Sequence, residues 1–271
     1  MRVPLTEEVH EATRDLDRRS VEEIVEAIHG EDHNAWLAVG NVLPTIAEAA
    51  DVLVRALAEG RRWFNVGAGT SGRMGTLDAA EIPPTFGLPA GRVQAVIAGG
   101  PTALSRAVEG AEDDLEAGAL ELRERGLAPG DAVVAISASG TTPFTLGCLG
   151  AAREVGARTI AITCDARSPL AEAAEISVAP AVGPEVIAGS TRMKGGLAQK
   201  MVLHLLSTTA MVRLGYVSGN LMTHLRPAST KLRERAERIL MALADVDREE
   251  AARLLDRTEG DIAGAVELAR R

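Results

Sequence analysis

The chain predicts an α/β fold: a five-stranded parallel sheet flanked by helices, with a small C-terminal helical module. Three observations carry this. Short apolar runs alternate with helix-like segments from residue 63 to residue 179. One of them, Ala132-Val133-Val134-Ala135-Ile136, is apolar throughout, as expected of a strand covered on both faces. Two similar loops, Gly67-Ala68-Gly69-Thr70-Ser71-Gly72 and Ser137-Ala138-Ser139-Gly140-Thr141-Thr142, each follow an apolar run and open a helical stretch.

Residues 1–19 are polar and carry Pro4, so they read as an arm or irregular cap. Ser20-Val21-Glu22-Glu23 is a capping box, in which hydroxyl and carboxylate satisfy N–H groups at a helix start. That helix reaches about residue 29, and 32–60 has helical spacing that Pro44 can break in two. Strands are predicted at 63–66, 93–97, 132–136, 159–163 and 176–179. Between them, 73–81 reads as a helix stopped by Pro83-Pro84, 103–125 as a charged helix, 143–155 as a helix and 168–175 as a short one. A long helix follows over 190–214, whose methionines read as core filling, then another over 229–244. Two short helices split at Glu259-Gly260 complete the chain, with Asp261 as a cap. The expected division is an arm over 1–19, a main domain over 20–246 and a module over 247–271.

A chain of 271 residues, nearly half apolar, has enough material for one large domain and a sizeable core. Aromatics are scarce, which argues against base-stacking surfaces for single-stranded nucleic acid. A net charge of −9 disfavours nucleic acid and anionic membranes as partners. Cys148 and Cys164 lack metal-ligand spacing and read as two reduced, buried thiols. With no N-terminal apolar leader and no stretch long enough to span a bilayer, a cytoplasmic protein is expected. The five histidines show no metal spacing, and His204 reads as a core or interface residue.

A strand, a tight loop with free N–H groups and hydroxyls, and a helix N-terminus together make an anion site. Two such units predict a phosphorylated small molecule held between them. Gly67 to Gly72 matches G-x-G-x-x-G, but dinucleotide binding also needs a carboxylate at the end of the next strand. That strand ends in Ala98-Gly99-Gly100, so no such cofactor is expected. The candidate binding residues are Gly69, Thr70, Ser71, Ser137, Ser139, Thr141 and Thr142. A third cluster, Gly189-Ser190-Thr191-Arg192-Met193-Lys194, adds Ser190, Thr191 and Lys194; Lys194 either faces a ligand or is simply solvated.

Three carboxylates are candidates for proton transfer. Glu81 precedes Pro83-Pro84, which places it at a helix C-terminus, where the macrodipole disfavours an anion and favours proton exchange near neutrality. Glu112 lies in an acidic run that also fits a solvated face. Glu185, beside Pro184 and ahead of the third cluster, is the other.

The segments 67–75, 78–87, 108–113 and 189–194 closely resemble N-acetylmuramic acid 6-phosphate etherases. Gln199-Lys200 and residues 216–222 continue the likeness, which runs from about residue 13 to the end. The resemblance implies a sugar isomerase (SIS) fold, a homodimer, and two acid/base glutamates at Glu81 and Glu112. It also implies cleavage of a lactyl ether without metal or redox cofactor, and kinship with glucokinase regulatory protein. Thr141 stands where these enzymes carry Arg, Leu197 replaces a small hydroxyl residue, Ser229 replaces Asn, and the arm lacks an Arg-Asn-Pro stretch. An isomerase or lyase on another amino-sugar phosphate, or a non-catalytic sugar-phosphate binder, are the competing readings. Ser71 and Glu81 are ten residues apart, roughly 15 Å on a straight helix. Either the segment bends, or Glu81 serves a sugar bound by a partner subunit.

Overall fold

The computed structural model describes residues 3–225, 227 and 229–270. Five strands, β1 (Trp63–Gly67), β2 (Val93–Ile97), β3 (Ala132–Ile136), β4 (Arg158–Ile162) and β5 (Ile176–Val178), form one sheet in the order β2-β1-β3-β4-β5. All four pairings are parallel, and Trp63 sits opposite both Val93 and Ala132. The expected sheet is therefore present.

Strand side chains alternate between two apolar layers. Trp63, Val134, Ile136, Ile160 and Ile162 face one layer, with residues of α1 (Val21–Gly40), α2 (Leu43–Ala58), α3 (Gly69–Phe86) and α7 (Lys194–Arg213). Phe64, Val66, Val133, Ala135 and Ala161 face the other, against α4 (Leu115–Glu124), α5 (Pro143–Glu154) and α6 (Pro169–Ala173). Both cysteines are buried. Among the described residues, no single helix is long and apolar enough to cross a membrane.

Several helix limits differ from the sequence reading. The capping box opens α1 as expected, but α1 runs unbroken to Gly40. The chain then bends by 62°, and Pro44 occupies the first turn of α2, where its missing N–H is not needed. Helix α3 begins at Gly69 rather than at 73 and continues through Pro83 and Pro84 to Phe86. The prolines occupy its last turn, and Gly87, left-handed, closes it by donating to the Pro83 carbonyl (2.9 Å). The expected helix over 103–125 is only α4; before it the chain forms 3-10 turns at Gly100–Leu104 and Ala111–Asp113. Pro101 and the left-handed Gly110 explain the interruption. Helix α7 starts at Lys194, four residues later than the expected 190.

Beyond α7, a short antiparallel pair, β6 (Val217–Ser218) and β7 (Leu221–Met222), leads to α8 (Thr230–Ala244), α9 (Arg248–Arg257) and α10 (Ile262–Ala269). The cluster of Leu225, Ile239, Leu240, Leu254, Leu255 and Ile262 joins these three helices. A boundary at Val246 thus cuts through a packed unit, and α8 groups with the terminal helices.

Candidate active site

The strand order reverses at β1 and β3. In open parallel sheets, ligands bind at this switch point, outside the carboxyl ends of the strands. Both hydroxyl-rich loops lie there, one after β1 and one after β3. They border a cavity of about 500 Å³, lined by Gly69, Thr70, Ser71, Ser137, Ser139, Thr141, Thr142, Thr191 and Glu112.

Close packing brings the loops together. A Cβ on Gly72 would meet Ile97 Cγ1 at 2.6 Å and the Gly67 carbonyl oxygen at 2.7 Å, so glycine lets α3 rest on the strand ends. Gly140 has φ +68°, and a Cβ there would overlap Ser168 Oγ. The start of α7 completes the convergence, since a Cβ on Gly195 would stand 3.2 Å from Ala138 Cβ and one on Gly196 3.3 Å from Thr70 Cγ2.

In the second loop the hydroxyls form a network. Ser137 Oγ lies 2.9 Å from Thr142 Oγ1 and accepts from the Gly140 N–H at 3.1 Å; Ser139 Oγ lies 2.9 Å from Thr141 Oγ1. The N-cap residues Ala68 and Thr142 make no side-chain cap to α3 or α5, and among the described residues no other side chain accepts from the first N–H groups of these helices; α5 begins with Pro143, which has none of its own. Among the described residues, no lysine, arginine or histidine lines it. Among the described lining residues Glu7, Glu112 and Asp113 are carboxylates, and the donors on offer to an anion are hydroxyls and backbone N–H groups.

The third cluster divides. Gly189 and Thr191 line the cavity; Ser190, half-buried, does not. Lys194 is a correction to the sequence reading. Its side chain is buried, and its ammonium lies 2.5 Å from Glu31 Oε2 on α1, away from the cavity lining. Burial tends to raise the Glu31 carboxyl, but Lys194 and Asn34 hold it below its ordinary value. Glu185 is also structural: fully buried, it accepts from the Lys194 N–H (3.0 Å) and the Gly195 N–H (2.8 Å), capping α7. Burial pushes its pKa up, while those two N–H groups and the Lys194 charge pull it back.

The paired glutamates are not together within one chain. Glu112 is exposed on a 3-10 turn and lines the cavity. Glu81 is exposed on α3 and lines no part of it. The helix continues five residues past Glu81, so the expected placement at a helix C-terminus does not hold. One turn earlier, Asp78 is buried, accepts from Ser207 Oγ at 2.8 Å, and has no partner for Oδ2 among the described residues. Burial raises its pKa from 3.8 to about 6, against the pull of Ser207 and Lys200.

Two carboxylates that line the cavity are not among the sequence candidates. Glu7, in the polar arm, reaches the cavity because the Gly189 N–H donates to the Thr6 carbonyl (3.0 Å), and Thr13 Oγ1 ties the arm to the Val186 carbonyl (2.9 Å). Asp113 adds another carboxylate at the rim.

Known proteins share the sequence and the fold. The N-terminal SIS domain of glucokinase regulatory protein matches residues 45–153, and the SIS domain matches 117–209. N-acetylmuramic acid 6-phosphate etherases from Yersinia pestis (strain Pestoides F) and Yersinia pseudotuberculosis (serotype O:1b) are each 47% identical over 262 residues, covering 97% of this chain and 89% of theirs.

The chain belongs to the N-acetylmuramic acid 6-phosphate etherase family.

Solved SIS relatives agree on the fold. Phosphoheptose isomerase from Neisseria gonorrhoeae superposes with TM-score 0.54 at 19% identity, over 72% of this chain and 98% of that one. A protein from E. coli CFT073 gives 0.53 at 20%, over 74% and 97%. Ser229 takes an ordinary structural part by accepting from the Leu232 N–H (3.3 Å) at the start of α8.

Proposed function

We propose that this protein cleaves the D-lactyl ether of N-acetylmuramic acid 6-phosphate, giving N-acetylglucosamine 6-phosphate and D-lactate. The observation that carries the reading is the switch-point cavity, where two uncapped helix starts and a ring of hydroxyls stand beside Glu112. The 6-phosphate sits among Thr70, Ser71, Ser137, Ser139, Thr141 and Thr142. That remote anchoring orients the reacting carbons.

An ether oxygen is a poor leaving group, so direct displacement at neutral pH is slow. In the open-chain sugar the C1 aldehyde acidifies the C2 proton. Glu112 removes it, the C2–C3 double bond forms, and the C3–O bond breaks with a proton delivered to the departing lactate oxygen by Glu81. Water then adds at C3 with Glu81 as base, and the proton returns to C2. The chemistry draws on two carboxyl groups and no cofactor.

Because Glu81 stands outside its own chain's cavity, the working unit in this reading is a homodimer. The site then lies at the subunit interface, with Glu81 reaching a sugar held by the partner. Its place is the cytoplasm, in recycling of cell-wall sugars. Incubation with N-acetylmuramic acid 6-phosphate and assay of D-lactate tests the reading; lactate release is expected. No lactate, together with a Tm raised by sugar phosphate, would instead indicate a non-catalytic binder, the reading that the match to glucokinase regulatory protein favours.

A further inference from the structure

Beside the main cavity is a second one of about 220 Å³, and Ala68, Gly69 and Glu112 line both. Its wall is made of small apolar side chains, Ala98, Ala103, Ala107, Val108 and Ala111, with the guanidinium-bearing Arg73. The wall exists because Gly99 is left-handed (φ +81°) and a Cβ on it would strike Val108 Cβ at 2.8 Å, so the 99–111 loop folds close over the sheet end. Arg73, in the second turn of α3, donates from Nε to the Leu104 carbonyl and from Nη2 to the Arg106 carbonyl, both at 3.3 Å. These two bonds hold the loop and fix the guanidinium, and they leave other N–H donors of its five unused. Glu109 and Glu112 also border this space, so an anion entering it relies on Arg73.

Arg73 is the one lysine, arginine or histidine lining either cavity among the described residues. Lys194 is committed to Glu31, and position 141 carries Thr. The proposed substrate has two anionic groups, a phosphate and a lactyl carboxylate. The phosphate has the helix starts of α3 and α5. Resting on the proposed etherase reading, we infer that the side pocket is the lactyl subsite: Arg73 takes the carboxylate, and Ala103, Ala107 and Val108 take the methyl group. Arg73 is then the residue that separates substrate from product, because N-acetylglucosamine 6-phosphate keeps the acetamido group and the phosphate but has no lactyl arm. An anchored carboxylate also fixes the C3–O bond that must break.

The test compares N-acetylmuramic acid 6-phosphate with its lactyl carboxamide, and with N-acetylglucosamine 6-phosphate as a binding probe. Lactate release by the unaltered protein first decides the etherase reading independently. The pocket assignment predicts a kcat/KM for the acid about 10- to 100-fold above that for the amide, the range of one charge-assisted hydrogen-bonded contact. Arg73→Gln removes that preference. Because Arg73→Gln also loosens the 104–106 loop, Ala107→Leu is the second variant; Ala107 is exposed, so the change fills the pocket without entering the core. It is expected to raise KM for the substrate at least tenfold and to leave the Kd of N-acetylglucosamine 6-phosphate within twofold. If the protein releases no lactate, the same comparison is made on Kd values for the three compounds. Equal handling of acid and amide by the unaltered protein, or equal weakening of substrate and N-acetylglucosamine 6-phosphate in Ala107→Leu, would overturn the assignment; the latter would give the pocket to the acetamido group.

Discussion

At the start of α7 a buried carboxylate, Glu185, occupies the N–H groups of Lys194 and Gly195, whereas at the starts of α3 and α5 no side chain among the described residues does so. The start of α7 comes within a few ångströms of Thr70, in the first turn of α3, and of Ala138, in the loop that leads to α5. The difference separates scaffold from site. A helix start in a protein interior needs an anion or an acceptor. At α7 the chain supplies its own, and Lys194 is turned inward to Glu31. At α3 and α5 the proposed site leaves the place for an anion from solution.

The comparison breaks most severely if Glu185→Ala leaves stability unchanged. Two buried N–H groups lose their acceptor in that variant, with an expected cost of about 3 kcal/mol. The denaturant midpoint measures it, and phosphate-sugar affinity in the residual folded fraction should stay close to that of the unaltered protein. The converse experiment gives the α3 start a carboxylate of its own. Ser71→Asp should lower the affinity for N-acetylglucosamine 6-phosphate about a hundredfold, since the built-in anion both fills and repels. Calorimetric titration would show it, with Tm held or raised. Retained binding in Ser71→Asp would place the phosphate elsewhere.

Asp78 sharpens the contrast between buried carboxyls. Glu185 accepts from two N–H groups, but Asp78 accepts from one hydroxyl and its Oδ2 has no partner among the described residues. With its pKa raised from 3.8 to about 6, folding favours the protonated form. Its contribution is full below about pH 4 and is lost as pH rises through 6, a change on the order of 2 kcal/mol. Urea midpoints at pH 5 and 7.5 should therefore differ less in Asp78→Asn than in the unaltered protein; an identical pH slope in both would exclude Asp78 as its source. The smallest effect is expected from Ser137→Ala, which removes one node of the hydroxyl network and weakens sugar-phosphate binding by about 1 kcal/mol, readable as a roughly fivefold rise in Kd.

Much of the fold and site is legible in the sequence, for reasons specific to each part. The five strands are short apolar runs bounded by polar or glycine-rich turns, so the period and the punctuation agree. The two hydroxyl loops carry more hydroxyls than helix capping needs, and that excess points to the cavity they line. Pro83-Pro84 misleads because α3 runs through both prolines to Phe86 and is closed by Gly87, although each ring removes an N–H donor to a carbonyl four residues back. Lys194 misleads because residue type does not tell which side of a helix start the ammonium takes; its partner, Glu31, lies 163 residues away. Glu185 stands out in the sequence as a carboxylate of interest, but only the fold shows that its oxygens are spent on backbone. Arg73 is the opposite case. In the 67–75 string it carries likeness alone, and its place between two cavities depends on the 99–111 loop, which Gly99, Gly100, Pro101 and Gly110 make irregular.

Glu81 and Glu112 are the pair on which the account turns, and within one chain they do not meet across the cavity. Mixing Glu81→Ala with Glu112→Ala protein after dissociation and reassembly tests whether they meet across two. Each variant alone is expected to be inactive. If the site is shared, a mixed dimer carries one doubly altered site and one intact site, so an equimolar mixture recovers about a quarter of the unaltered D-lactate release. An inactive mixture in which mixed dimers are shown to form would contradict the shared site.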